Sequence, residues 1–361
     1  MPMIFYVPQI QKESNYGVVL GVKDFSGIIG RRCYNKRIIM GTYAPPFSVS
    51  AKAIGLVAEI SALVERYAIR LEQTDGLLLR KANRIKTIHS SLAIEGNELS
   101  EGEVRTVLEG KSVVAPLQQL QEVRNAIRTY EESEKWDAYS LEDMLRAHGC
   151  MMEGLCPHAG TFRKGGVGVF AGEKLIHMAP PAGIVPTLMH QLFDWLQHAE
   201  DHLLIRSCVF HYEFEFIHPF ADGNGRIGRL WQSLILGKLH PAFPHLPVEN
   251  MVYTSQDGYY KAIEQSSALS NCSPFIDFML GEILQALRQS VVASLELSEK
   301  EQFIINCIQQ NASISAKAIA ERAGVSPRLI EMHLTEMKKR GILQRDGARK
   351  NGSWKLLMPG V

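Results

Sequence analysis

The feature that most constrains the fold is the segment from His218 to Arg229, which reads HPFADGNGRIGR. At its centre, Gly223, Asn224 and Gly225 interrupt two stretches in which apolar residues recur at helical spacing. Glycine and asparagine adopt left-handed turn conformations at low cost, so the chain is expected to reverse here. The sequence therefore predicts a helix, a tight turn and a second helix that opens just after Asn224 and must end at Pro241.

The same helical spacing recurs through most of the chain and predicts a mainly α protein, organised as a helical bundle. Residues 163–178 differ, because glycines alternate there with Val, Phe and Ile, which predicts a β-hairpin. Residues 1–48 carry short apolar runs such as Val18-Val19-Leu20 and Ile38-Ile39-Met40, which are typical of strands or an extended arm. Helices are expected at about 78–96, 117–135, 140–152, 184–198, 203–216, 258–266 and 274–297.

A length of 361 residues exceeds what one compact core usually organises. We predict an N-terminal region over 1–140, a catalytic core over 141–297 and a winged-helix domain over 298–361. The last prediction rests on three short helical segments, a tight turn at Ala323-Gly324-Val325 and two short strand-like runs around glycines.

Composition narrows the functional classes. The 39 basic and 38 acidic residues leave almost no net charge, so nucleic acid or an anionic membrane would have to bind a local patch. The six cysteines form no metal-binding or disulfide spacing. No signal peptide or apolar run of membrane length is present, so we expect a cytoplasmic protein without a membrane partner.

The turn itself carries the chemistry. Backbone N–H groups at a helix N-terminus, together with the helix dipole, form an anion site. Arg226 and Arg229 lie three residues apart on one helix face and can bind phosphate oxygens, while the Asp222 carboxylate can hold Mg²⁺ between two phosphates. His218 can take a proton from an incoming hydroxyl. This set of groups indicates phosphoryl or nucleotidyl transfer.

Two other interpretations fit parts of the turn. Gly223 to Gly228 also fits the dinucleotide pattern G-x-G-x-x-G, but that pattern requires a preceding strand, and a helical segment stands here instead. A purely structural turn is the other alternative, and the surrounding His, Asp and Arg residues argue against it.

The segment resembles the Fic family motif H-x-F-x-[D/E]-G-N-G-R-x-x-R at every fixed position. The resemblance implies that His218 is the general base and that Asp222 binds Mg²⁺. It also implies that ATP is bound by seven consecutive residues, which are Gly223, Asn224, Gly225, Arg226, Ile227, Gly228 and Arg229. A hydroxyl of a target protein would attack the α-phosphorus of ATP, and the 163–178 hairpin would hold the target by strand addition.

A second motif, Ser91-Leu92-Ala93-Ile94-Glu95-Gly96, resembles the inhibitory sequence [S/T]-x-x-x-E-[G/N] of some Fic proteins. The resemblance implies that Glu95 pairs with Arg229 in the place of the γ-phosphate and represses transfer. Ser91 and Gly96 complete this inhibitory set.

Three functional questions stay open at the level of sequence. The same site could run in reverse and remove AMP from a modified protein. The chain could also be a DNA-binding regulator with an inactive loop, because Arg328, Lys338 and Arg345 belong to a local basic cluster in the winged helix. Winged helices also serve as protein–protein modules, and a homodimer is plausible by resemblance to the family.

Overall fold

The structure is a computed structural model. It describes residues 38–39, 42–72, 76–171, 174–293, 299–339, 342–346 and 352–356. Its helices in chain order are α1 (Ala51–Leu71), α2 (Gly76–Ile94), α3 (Glu101–Leu108), α4 (Leu117–Glu132), α5 (Leu141–Met151), α6 (Val185–His198), α7 (Leu203–Ile217), α8 (Asn224–Leu239), α9 (Val248–Thr254), α10 (Gln256–Leu269), α11 (Ser273–Ala293), α12 (Glu299–Gln310), α13 (Ala316–Ala323) and α14 (Pro327–Lys339). Antiparallel strands pair as β1 (Ile38–Ile39) with β2 (Thr42–Tyr43), β3 (Gly168–Ala171) with β4 (Lys174–Met178), and β5 (Leu343–Asp346) with β6 (Ser353–Leu356).

The central element is α7, which is buried over almost its entire surface. Its sequence has apolar residues on every side, and a helix of that kind is stable only inside a core. Phe210, Phe214 and Ile217 join the main core, which also takes residues from α2, α4, α5, α6 and α8. Because α8 packs along α7, the 218–223 loop that connects them is held at one end of this pair of helices.

Helix α2 lies against this pair. It packs on α9, α3 and α4 and also contacts α8. The C-terminal end of α2 therefore reaches the side of α8 that follows the glycine turn. Gly96 ends this segment with a φ of +95°, a conformation that glycine adopts without strain.

The β3–β4 hairpin follows α5 and precedes α6. Its register pairs Gly168 with Met178 and Ala171 with Lys174, with an irregularity after Val169. The Ala179 N–H donates to the Val167 carbonyl and closes the open end of the hairpin.

The described residues form two compact units, with the division after Ser290. In the second unit, α12, α13 and α14 enclose an apolar core that includes Ile304, Ile319 and Leu334, and the β5–β6 pair completes a winged helix. Trp354 in β6 donates its indole N–H to the Ile314 carbonyl, which ties the wing to the helices.

The predicted fold class is confirmed: the chain is mainly α, with a hairpin and a C-terminal winged helix. Helix α3 was not predicted. The runs at Val18 and at 347–351 lie outside the described residues, and the three-part division of the chain stays a prediction. Among the described residues, no helix is both long enough and apolar enough to cross a membrane.

Candidate active site

The loop between α7 and α8 is shaped by two left-handed residues. His218 ends α7 with a φ of 50°, and its N–H donates to the Phe214 carbonyl. Gly223 precedes α8 with a φ of +81°, and a Cβ there would lie 2.7 Å from Met152 Sδ. Glycine is therefore required at 223 both by its backbone conformation and by the space available.

The side chain of Asn224 folds back onto the loop. Its Oδ1 accepts from the Phe220 N–H, and its Nδ2 donates to the Phe220 carbonyl, each at 2.9 Å. Phe220 itself is fully buried. Any phosphate contact of Asn224 would thus use its backbone N–H, because the amide group shapes the turn.

His148 in α5 packs against the loop, and the sequence analysis does not identify it. Its ring stacks on Phe220 with centroids 3.7 Å apart. The Gly160 N–H donates to Nδ1, so Nε2 carries the proton and donates to the Asp222 carbonyl at 2.9 Å. Burial lowers the pKa of His148 to about 4, and the ring is neutral near pH 7.

The predicted base, His218, is largely enclosed, with its side chain 13% exposed. Burial first, and then the positive charge of Arg163, lower its pKa to about 4. A neutral imidazole can accept a proton, so the site holds the form that a general base needs. Glu215 lies close to this imidazole, with its Oε2 3.9 Å from His218 Nδ1.

The predicted anion site lies at the first turn of α8. The N–H groups of Asn224, Gly225 and Arg226 have no acceptor within the helix and point toward its N-terminal end. Arg226 is buried, and its Nη2 lies 3.1 Å from Asp222 Oδ1. The two residues predicted to bind pyrophosphate and Mg²⁺ therefore contact each other.

Glu95 lies beside this turn and contacts Arg229. The carboxylate Oε1 accepts from Arg229 Nη2 at 2.7 Å. Ser91 accepts twice from the same guanidinium, through Oγ at 3.2 Å and through its carbonyl at 2.9 Å. A Cβ on Gly225 would lie 2.5 Å from Glu95 Oε1, so the carboxylate touches the backbone of the anion site.

The surroundings of Arg229 are acidic. Its side chain is 3% exposed, against 20% for Glu95. Burial raises the pKa of Glu215 to about 8 and that of Glu249 to about 7. Burial acts to lower the pKa of Arg229, but the negative charge of Glu95 and the other neighbours outweighs it, so the guanidinium stays charged.

Two predicted nucleotide-binding residues lie on the interior side of α8, and their role in binding stays a prediction. Ile227 is fully buried in the main core, and its N–H donates to the Gly223 carbonyl. Gly228 faces α7, because a Cβ there would lie 2.8 Å from Glu215 Oε1. Neither residue faces the anion site, since the helical period turns both toward the interior.

The fit of Mg²⁺ depends on a single carboxylate. Among the described residues, no group of three or more His, Cys, Asp or Glu is arranged to hold a metal ion. The Asp222 side chain is 58% exposed, and its Oδ1 accepts from the Gly223 N–H. One exposed carboxylate beside an anion site fits an ion that is held mainly by nucleotide phosphates and water.

The comparisons with known proteins agree with this geometry. The sequence model described as "Fic/DOC family" matches residues 138–236, and the model described as "Winged helix-turn-helix DNA-binding" matches residues 297–344. The crystal structure of a Fic family protein from Desulfovibrio desulfuricans G20 is 40% identical, with a TM-score of 0.68, over 88% of this chain and 100% of that one. The chain belongs to the Fic family.

Other relatives of this Fic-family chain are more distant. It is 26% identical to the protein adenylyltransferase Fic of Aedes aegypti over 65% of this chain, and it spans 48% of the length of that protein. Fic-1 of Caenorhabditis elegans (aa134–508) shares the fold, with a TM-score of 0.55 at 20% identity, over 66% of this chain and 73% of that one. The chain thus spans about half or less of the curated relatives it matches.

Proposed function

We propose that this chain is a protein adenylyltransferase that transfers AMP from ATP to a Ser, Thr or Tyr hydroxyl, including hydroxyls of its own. The observation that carries the proposal is the loop between α7 and α8, which holds a neutral, largely enclosed histidine next to a helix N-terminus with two arginines. Relatives named as protein adenylyltransferases support it.

The chemistry assigns each group a task. The target hydroxyl oxygen attacks the α-phosphorus of ATP and forms a new P–O bond, while the bond from that phosphorus to the bridging oxygen breaks and pyrophosphate leaves. His218 takes the hydroxyl proton. Arg226 and the N–H groups of the α8 turn stabilise the negative charge that moves to pyrophosphate.

Asp222 would hold Mg²⁺ at the phosphates, where the ion offsets their charge. Its contact with Arg226 is compatible with this role, because the carboxylate is largely exposed and has a second oxygen to offer.

The β3–β4 hairpin is the proposed site of the target segment. It is a two-stranded sheet, so each strand has an outer edge with backbone groups that a target strand could pair with.

We further propose that Glu95 represses the enzyme. Its contact with Arg229 occupies the guanidinium that would bind the γ-phosphate, and ATP would then bind with its α-phosphate turned away from the attack line. Breaking a buried ion pair of this kind costs about 3–5 kcal/mol, which corresponds to repression on the order of 10²- to 10⁴-fold.

The test is incubation of the full chain with Mg²⁺ and ATP labelled at the α-phosphate, followed by measurement of protein-bound label. Glu95→Gly should raise the label by the factor above. Adding His218→Ala to Glu95→Gly should lower it by roughly 10²- to 10⁴-fold, the usual contribution of a general base. Absence of label with Glu95→Gly would reject the proposed transfer.

The reverse reaction is favoured by one observation: the Glu95 carboxylate touches the anion site and is partly exposed, so it could orient a water toward a bound AMP group. The two directions respond oppositely to the same substitution. Glu95→Gly should raise AMP incorporation, whereas an enzyme that removes AMP would lose its release activity.

A further inference from the structure

Arg163 lies beside the predicted base His218, and the proposed transfer chemistry gives it no role. It lies between α5 and β3 and is 5% exposed. Its guanidinium donates to the carbonyls of His218 at 2.7 Å, Gly165 at 2.7 Å, Pro180 at 2.5 Å and Ile217 at 3.3 Å. All of these acceptors are backbone carbonyls.

The acceptors belong to two different structures. Gly165 and Pro180 flank the β3–β4 hairpin, one before β3 and the other after β4. Ile217 and His218 are the last residue of α7 and the proposed base. One buried side chain therefore fastens both ends of the hairpin to the residue that accepts the proton.

The backbone bonds around Arg163 strengthen this connection. Its own N–H donates to the Pro219 carbonyl at 2.9 Å, so the main chain at 163 also holds the loop. His218 has a left-handed conformation that is unfavourable for a non-glycine residue. The bond from Arg163 to the His218 carbonyl helps to hold that conformation.

Arginine is suited to this task in a way that lysine is not. Its planar fork presents several donors in fixed directions, whereas an ammonium group is a single point on a flexible stem. Burial lowers the pKa of Arg163 to about 10, which still leaves it charged near neutral pH.

We propose that Arg163 is a positioning residue that sets the His218 ring relative to a target strand docked on the β3–β4 hairpin. A docked strand would then present its hydroxyl at the distance from which His218 takes the proton. This inference rests on the proposed transfer function.

The test uses the full chain in the Glu95→Gly background, with Arg163→Lys and Arg163→Met. The matched control is Arg206→Lys, because Arg206 also donates to a backbone carbonyl, that of Leu196, near the other end of α7. The measurements are the initial rate of self-labelling from ATP over a range of pH, the affinity for MgATP and the melting temperature.

Both Arg163 variants should label on the order of 10²-fold more slowly, which is the effect of misplacing a reacting group by about 1 Å. The affinity for MgATP should stay within about twofold of the parent, because Arg163 does not contact the α8 turn. Arg206→Lys should label like the parent.

The pH profile separates positioning from charge. The titratable and charged groups around His218 are Arg163, Glu215, Glu95 and Asp222, and only Glu95 is absent in this background. Arg163→Met removes a positive charge, so the acid limb of the profile should move to higher pH. Arg163→Lys keeps the charge, so that limb should stay while the rate falls.

Labelling by Arg163→Lys at the parental rate overturns the proposal, and this result decides the question even if Arg163→Met does not fold. An equal loss with Arg206→Lys would also overturn it, because the effect would then be general destabilisation. Failure of the transfer function itself looks different, since Glu95→Gly would not label with Arg163 intact.

Discussion

Removal of the Ser91 hydroxyl tests how much of the repression comes from contacts to Arg229 other than that of Glu95. Ser91→Ala deletes the Oγ acceptor at 3.2 Å from Arg229 Nε and leaves the Ser91 carbonyl bond in place. A hydrogen bond to a charged group contributes about 1.5–3 kcal/mol. The lower bound of this range, about 1.5 kcal/mol, corresponds to about a tenfold rise in AMP incorporation. We expect this rise to be smaller than the rise for Glu95→Gly.

The assay is the initial rate of incorporation from ATP labelled at the α-phosphate, with Mg²⁺, for wild type, Ser91→Ala, Glu95→Gly and the double variant. In the double variant, Ser91→Ala should add little, because its effect requires a Glu95 that Arg229 must release. The expected order is wild type, Ser91→Ala, then Glu95→Gly.

Ser90 provides the control within the same helix. It is buried like Ser91, but its Oγ donates to Asn250 Oδ1 at 3.2 Å and does not contact Arg229. Ser90→Ala should leave the rate near that of wild type. A rise equal to that of Ser91→Ala would refute the reasoning, since loosening of α2 would then explain both results.

Two further predictions concern stability. Gly223→Ala should lower both the melting temperature and the labelling rate, because a Cβ there would lie 2.7 Å from Met152 Sδ. The control is Gly154→Ala, at a similar φ of +72° with open space around it, which should cost only the roughly 1–2 kcal/mol of left-handed strain. Equal melting temperatures of the two variants would contradict this prediction. Glu215→Gln should stabilise the chain more at pH 8 than at pH 5. Burial raises the pKa of Glu215 from 4.5 to about 8, so between these values the folded state holds a proton that the unfolded state has released, and wild-type stability falls as pH rises. Melting curves at both pH values in the Glu95→Gly background check this, and a variant with no pH-dependent gain would count against a protonated Glu215.

The parts of the site that lie in one motif could be predicted from sequence. The turn at Gly223 follows from residue types at fixed spacing, and His218 as the base stays a prediction. The contact of Glu95 with Arg229 was implied instead by the resemblance of two separate motifs to those of the Fic family. Helix α3 also had a signal, because Ser100 and Glu103 form a capping box, although the pattern was not used.

The supporting residues could not be predicted in this way. Arg163 and His148 act through backbone carbonyls and N–H groups, and every residue of the chain offers such groups. Their partners at Ile217, His218 and Asp222 lie far along the chain, so no spacing rule connects them. The interior placement of Ile227 and Gly228 could not be predicted for a related reason, since a motif gives the order of residues but not the side of the helix that faces the core.

The electrostatics of Arg229 support the proposal that a single carboxylate, that of Glu95, controls the site. Glu215 and Glu249 are nearby, but burial raises their pKa values to about 8 and about 7, so near neutral pH they are largely or partly protonated. They can therefore offset the Arg229 charge only in part. The guanidinium therefore keeps much of its positive charge toward the predicted anion site, where Glu95 Oε1 lies 2.7 Å from Arg229 Nη2. A γ-phosphate and Glu95 would compete for the same guanidinium, and because Glu95 lies at the end of α2, any movement of that helix end would shift the competition toward the nucleotide.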